Sequence, residues 1–168
     1  MPKSLTLEAD QRIFAKSLDR ADVVAHGRLS QEDLPNSPKR RRLILTRRVV
    51  GLAPDRDDAN ARLWNPAGAS LEAACASVGC LSGTVAVLGG PDIYSYFLGV
   101  GYDCFYLSRA PKVKLPGGMP VFGRRRCGKT VEQVLSDADL KPGPVHWLDD
   151  KVTLVEWTPQ TRSRVSVN

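Results

Sequence analysis

The chain has 168 residues, 42% apolar and 25% charged, which suits one domain with a core large enough to do without disulfide staples. No apolar run approaches the roughly 20 residues that cross a bilayer, and Met1 to Asp10 lacks the continuous apolar stretch of an export signal, so a cytoplasmic enzyme or binding domain is expected. The net charge of +6 gathers in Lys39-Arg40-Arg41-Arg42, Arg47-Arg48 and Arg124-Arg125-Arg126, clusters that either attract phosphate or keep a surface solvated.

In chain order, Ser4 or Thr6 caps a first helix through Glu8 to Leu18, with acids in its first turn and apolar residues at 7, 14 and 18. Asp22 to His26 reads as a short buried strand ending at Gly27, and His26 as a hydrogen-bonded core histidine. After a polar loop with Pro35, Asn36 and Pro38, Leu43 to Thr46 is the next buried strand. Residues 53–69, with Pro54, Pro66 and several Asp, Asn and Gly, read as loop. Ser70 opens a second helix, Leu71 to Val78, closed near Gly79. Thr84 to Leu88 is the clearest strand, apolar and β-branched, and Gly89-Gly90 follows at once. Pro91 suits the first turn of a helix running to Leu98. Cys104 to Ser108 is a further strand, and the segments 131–138 and 152–157 read as a helix and a final strand. Strands alternating with helices predict an α/β domain spanning 1–168, with a central, mostly parallel sheet covered by helices on both faces.

The four cysteines, Cys75, Cys80, Cys104 and Cys127, make no C-x-x-C pair, and His26 and His146 stand apart. No metal site is therefore expected, and all four cysteines read as reduced thiols, the first three as core fillers. The strongest motif is Val85-Ala86-Val87-Leu88-Gly89-Gly90-Pro91-Asp92-Ile93-Tyr94. Glycines let the backbone approach a ligand closely, and the N–H groups opening a helix favour an anion such as a diphosphate. The G-x-G-x-x-G spacing of the Rossmann fingerprint is absent.

A strand, Gly-Gly, two residues, Ile-Tyr and a short helix resemble the cofactor loop of dihydrofolate reductases and of the riboflavin-pathway reductase domain. The surrounding order is similar too. A helix carries an acid four residues before a Phe (Asp10, Phe14). One strand ends in Gly27-Arg28 and the next in Thr46-Arg47. A Tyr-Leu-Ser strand and a Gly-Gly-Met-Pro-Val-Phe stretch at 117–122 come after the glycine pair, so the resemblance covers residues 7 to 157.

That resemblance implies a dihydrofolate reductase-like three-layer fold and an NADPH-dependent reductase of a pterin-type heterocycle, with dihydrofolate as the leading substrate. A riboflavin-pathway pyrimidine reductase, suggested by Arg20-Ala21-Asp22, is the alternative, and a non-catalytic nucleotide- or protein-binding relative is the third reading. Asp10 would help deliver a proton while NADPH supplies hydride. Phe14 would wall the slot for the flat ring, and Ser108 would support the acid. Arg28, Thr46 and Arg47 would surround the adenosine 2′-phosphate, with Arg47 and Arg48 favouring NADPH over NADH, and Gly27 would also belong to the cofactor site. Gly89, Gly90, Asp92, Ile93 and Tyr94 would line the diphosphate and nicotinamide. The family has a strand and a loop ahead of its acid-bearing helix. Only nine residues precede Asp10 here, and none reads as that strand, so the sheet would lack a middle strand unless another segment or subunit supplied it, as in a strand-exchanged homodimer.

Gly123-Arg124-Arg125-Arg126-Cys127-Gly128-Lys129-Thr130 matches the Walker A expression, but too little chain follows it to build a P-loop sheet, so it reads as a basic surface loop. The arginine clusters lack the interleaved aromatics of a nucleic-acid platform, so nucleic acid is not the expected partner; a small heterocycle is what the resemblance implies.

Overall fold

The computed structural model describes residues 7–114, 116–123 and 128–160. They form two compact units: Ile13–Ser95, and the described residues before and after it. The eight strands pair in two sheets rather than one. No helix among the described residues is long and apolar enough to cross a membrane.

The Ile13–Ser95 unit contains most of α1 (Glu8–Arg20), then β1 (Val23–Gly27), a short 3-10 helix (Ser37–Lys39) and β2 (Arg42–Leu45). β3 (Leu52–Pro54), β4 (Ala61–Trp64), α2 (Leu71–Ser77), β5 (Val85–Gly89) and the start of α3 (Pro91–Val100) complete it. The strand order is β3-β4-β2-β1-β5. β4, β2, β1 and β5 run parallel, and β3 is antiparallel at the edge. Glu8 and Asp10 in the first turn of α1 and Arg20 in its last each offset the helix dipole. β1 and β2 are buried almost end to end, as strands in a parallel sheet must be.

The loop reading of residues 53–69 is corrected by β3 and β4. Pro54 ends a three-residue edge strand, where a missing N–H costs little, and Ala61 and Trp64 of β4 are fully buried. Asp55 caps the intervening turn through the N–H groups of Asp57 and Asp58, so the acidic run is turn chemistry between two strands.

The other unit carries β6 (Phe105–Arg109), α4 (Val131–Asp137), β7 (Leu140–Trp147) and β8 (Thr153–Pro159) in an antiparallel sheet of order β6-β8-β7. β7 is absent from the sequence reading because Pro142, Gly143 and Pro144 argue against a strand. β7 accommodates them as an edge strand whose register slips between Pro142 and Val145. β5 is an edge of the first sheet and β6 an edge of the second. Among the described residues no strand pairs with the second side of either.

The four-residue basic run Lys39 to Arg42 divides by position. Lys39 and Arg41 are exposed, but Arg40 and Arg42 are buried and corrected from surface charge to core structure. Arg42 donates to Glu32 Oε1 at 2.5 Å, to Ser37 O at 2.9 Å and to Ser37 Oγ at 2.6 Å. Arg40 pairs with Asp19 at 2.5 Å and with Glu32 at 3.0 Å. Burial by itself would raise the Glu32 carboxyl, but bonds from Arg42, the Leu34 N–H and Arg40 outweigh it and hold the group below its ordinary value. His26, 1% exposed, donates from Nδ1 to Gly27 O at 2.9 Å and turns Nε2 toward Arg42 Nη1 at 3.4 Å. Burial, with the Arg42 charge adding to it, lowers its pKa, so the imidazole is neutral with its proton on Nδ1.

Two outcomes follow from this cluster. Glu32→Gln leaves two buried guanidiniums short of a counter-charge and should lower unfolding free energy in urea by roughly 3 kcal/mol. Because the unfolded His26 takes up a proton near pH 6.5 and the buried one resists, stability should fall as pH drops below that value, by at most about 1.4 kcal/mol per unit. His26→Gln should flatten this dependence between pH 6.5 and 5.5, and an unchanged urea-midpoint profile would refute it.

Candidate functional site

Parallel pairing brings the carboxyl ends of three strands into one row. Gly27 lies opposite Leu45, and His26 opposite Gly89, so β2, β1 and β5 all end at the same edge of their sheet. Loops leaving that edge are where open α/β sheets bind ligands. The predicted cofactor residues Gly27, Arg28, Thr46, Arg47, Gly89, Gly90, Asp92, Ile93 and Tyr94 all belong to this edge or to the turn of α3 that follows it.

Gly27 begins a tight turn closed by Ser30 N–H on Gly27 O at 2.9 Å. A side chain at Gly27 would meet Ile93 Cγ1 at 3.4 Å, so the first turn of α3 packs directly over the end of β1. Thr46 N–H donates to Trp64 O at 2.9 Å, and the Thr46 hydroxyl accepts from Arg48 N–H at 3.2 Å, which sets the course of the Arg47-Arg48 turn. Arg28, Arg47 and Arg48 are all exposed at this edge. Three guanidiniums there suit a phosphorylated ligand.

Gly89 is held at φ +83°, and a Cβ placed on it would lie 2.3 Å from the Tyr94 ring. The ring lies against the glycine backbone, and the Tyr94 hydroxyl donates to Leu88 O at 3.0 Å. Burial raises the Tyr94 phenol, so it stays protonated. Tyr94 therefore buttresses the turn. Ile93 and Tyr94 N–H both donate to Gly90 O, at 2.9 and 3.0 Å, and Pro91 has no N–H. The Gly90 and Asp92 amides are thus the donors this turn can still offer. The Asp92 side chain is an exposed acid in a first helical turn, where it offsets the dipole. Ser30, which the sequence reading did not single out, lies nearest the outer face of Gly90: its Oγ would be 3.7 Å from a Cβ there.

In the other unit, Ser108 on β6 donates its hydroxyl to Asp10 Oδ1 at 2.5 Å. Ninety-eight residues separate the pair in sequence, and the bond fixes the orientation of the carboxylate. Asp10 is half-exposed. Phe14, on α1 and within the Ile13–Ser95 unit, keeps 40% of its surface exposed.

The end of the Walker-like segment behaves as local structure. Thr130 caps α4 in a reciprocal capping box with Gln133, and Lys129 pairs with Asp137 at 2.6 Å. Residues 124–127 of that segment lie outside the described residues. Lys129 and Thr130 are committed to the helix rather than to a phosphate. Depressions of about 760 Å³ along Gln31 to Pro38 and about 510 Å³ beside Tyr102, Asp139 and Gln160 include none of the predicted site residues. Among the described residues no three His, Cys, Asp or Glu side chains cluster to hold a metal. Cys104, expected as a core filler, is only half-buried, and its thiol is pushed up to about 12, chiefly by burial.

The strand order, the glycine turn after β5 and the Tyr-Leu-Ser strand define a dihydrofolate reductase-like α/β fold. A solved structure from Thermotoga maritima, a diaminohydroxyphosphoribosylaminopyrimidine deaminase/5-amino-6-(5-phosphoribosylamino)uracil reductase, is similar to it with a TM-score of 0.53 and 17% sequence identity. The match covers 92% of this chain and 50% of that one, so the chain spans half the length of its structural relative. No protein family and no curated protein matches the sequence.

Gly89→Ala should destabilise the protein by about 2 kcal/mol, because it combines a left-handed backbone with a clash into a buried ring. Gly27→Ala, which meets only ordinary contact distances, should cost well under about 1 kcal/mol. Thermal or urea unfolding of the two variants separates these outcomes, and equal losses would disprove the buttress role of Tyr94.

Proposed function

We propose that the chain is a reductase domain that uses NADPH and acts on a phosphoribosylated aminopyrimidine of the riboflavin pathway. The observation that carries this reading is the shared carboxyl edge of β1, β2 and β5, where a glycine turn and exposed arginines stand side by side. The structural relative bears 5-amino-6-(5-phosphoribosylamino)uracil reductase in its name, which favours a pyrimidine over dihydrofolate.

The residues present fit a dinucleotide. At Gly90 a Cβ would meet only Ser30 Oγ, at 3.7 Å, so the turn is open there, and the Gly90 and Asp92 amides offer donors for a diphosphate. Arg47 and Arg48 follow Thr46 at the end of β2 and would hold a 2′-phosphate through charge-assisted bonds, with Arg28 at the end of β1 beside them. When bound, NADPH supplies the hydride. Ser108 holds the Asp10 carboxylate in one orientation, as a group that passes a proton to a reduced heterocycle requires. Phe14 offers an aromatic face for a flat ring.

Purified chain should oxidise NADPH in the presence of 5-amino-6-(5-phosphoribosylamino)uracil, followed by loss of nicotinamide absorbance. Dihydrofolate should give little turnover. Replacing Arg47 and Arg48 together by Ala should raise KM for NADPH by about tenfold or more while leaving KM for NADH nearly unchanged. Ser108→Ala should lower kcat with little change in KM for NADPH. Failure of both NADPH and NADH to quench the fluorescence of Trp64, Trp147 and Trp157 or to turn over would overturn the reading.

A further inference from the structure

α2 ends in a left-handed cap that carries two thiols. Gly79 adopts φ +73°, and its N–H donates to Ala76 O at 2.9 Å. One residue on, Cys80 N–H reaches back to Cys75 O at 3.0 Å. These nested bonds are the Schellman arrangement, in which the residue after the glycine folds back over the last turn and its side chain meets the one five positions earlier. Helices usually place two apolar side chains in that contact. Here both positions are cysteine.

A disulfide needs Cα atoms within about 7 Å and converging Cβ directions. The six-residue closure brings the two residues back to the same end of α2, joined by the Cys80 N–H bond to Cys75 O. Cys80 is buried, with its thiol donating to Ser82 O at 3.3 Å, and Cys75 is half-buried. At Gly79 nothing lies within 4 Å of where a Cβ would stand, so the cap between the two thiols opens outward.

We propose that Cys75 and Cys80 are a dithiol that closes reversibly into an intramolecular disulfide, a modification site at the end of α2 that is independent of the reductase chemistry. A low-molecular-weight disulfide serves as the oxidant. Cys75, the more accessible, attacks one of its sulfurs as the thiolate. The reagent's S–S bond breaks and its first thiolate leaves. Cys80 then attacks the Cys75 sulfur of the mixed disulfide and expels the second thiolate. The two protons given up by the cysteines end on the two released thiols, and the protein loses two electrons to the reagent. Burial, then Cys80 and Glu72, push the Cys75 thiol up, so the exchange is slow at neutral pH. Cys104 is far less reactive because its thiol is raised further.

The test is native incubation of the whole chain with oxidised glutathione, followed by alkylation of free thiols and peptide mapping by mass spectrometry. The expected product lacks two hydrogens, carries the new bond within the peptide spanning Cys75 and Cys80, and returns to the dithiol on reduction. A Cys104→Ser/Cys127→Ser double variant should give the same product, and Cys80→Ser should stop at a glutathione adduct on Cys75. Alkylation of both thiols, a persistent adduct on the native chain, or a bond involving Cys104 or Cys127 would overturn the proposal.

Discussion

The parallel pairing of β1 with β2 on one side and β5 on the other is the constraint on which the candidate site depends. Parallel strands must run the same way, so their carboxyl ends share one edge, and the loops that leave them share one neighbourhood. Gly27, Thr46 and Gly89 are far apart in sequence, yet they end adjacent strands. The packing of Ile93 over Gly27 and of the Tyr94 ring against Gly89 then sets the entry of α3. A short apolar strand, a glycine turn and a helix start are individually common. Their alignment along one edge follows from the parallel register and is what the proposed function rests on.

The same unit invests polar groups where an apolar core would be cheaper. Arg42 is 1% exposed and sits at the head of a buried strand, beside Arg40, Glu32 and His26. Desolvating such charges costs several kcal/mol per ion, recovered only when every partner is in place. The partners come from α1 (Asp19) and from the connection between β1 and β2 (Glu32, Ser37). The network therefore ties a polar loop to the sheet. The Nε atoms of both arginines find no acceptor among the described residues, so the satisfaction is incomplete and the loss of any one carboxylate is felt directly. A neutral imidazole beside a buried guanidinium makes the unit sensitive to acid.

The division into two sheets bears on the chemistry as well. β5 and β6 each end a sheet, and β5 is apolar without the charges or prolines that usually protect an edge. Asp10 and Ser108 form one preorganised pair in their own unit, while the glycine turn and the arginines form another grouping in theirs. Each is complete as local structure.

Sequence alone determined the elements whose signal is short-range. The Val85 to Leu88 strand with its glycine turn, the proline-started α3, the capped α2 and α4, and the buried stretch before Gly27 all follow from β-branching, capping side chains and glycine placement, which act within a few residues. The edge of β1, β2 and β5 was legible as a set of residues through the order of the motifs. What only tertiary structure decided is whatever depends on a partner far along the chain. Pro54 read as part of a loop until an edge position removed the need for its N–H group. Arg40 and Arg42 read as surface charge until Glu32 and Asp19 met them. Ser108 and Asp10, and the two cysteines across the α2 cap, were ordinary residues in one dimension. Spacing along a chain reports the local backbone, whereas the pairing of charges, hydroxyls and thiols depends on which segments the packing brings together.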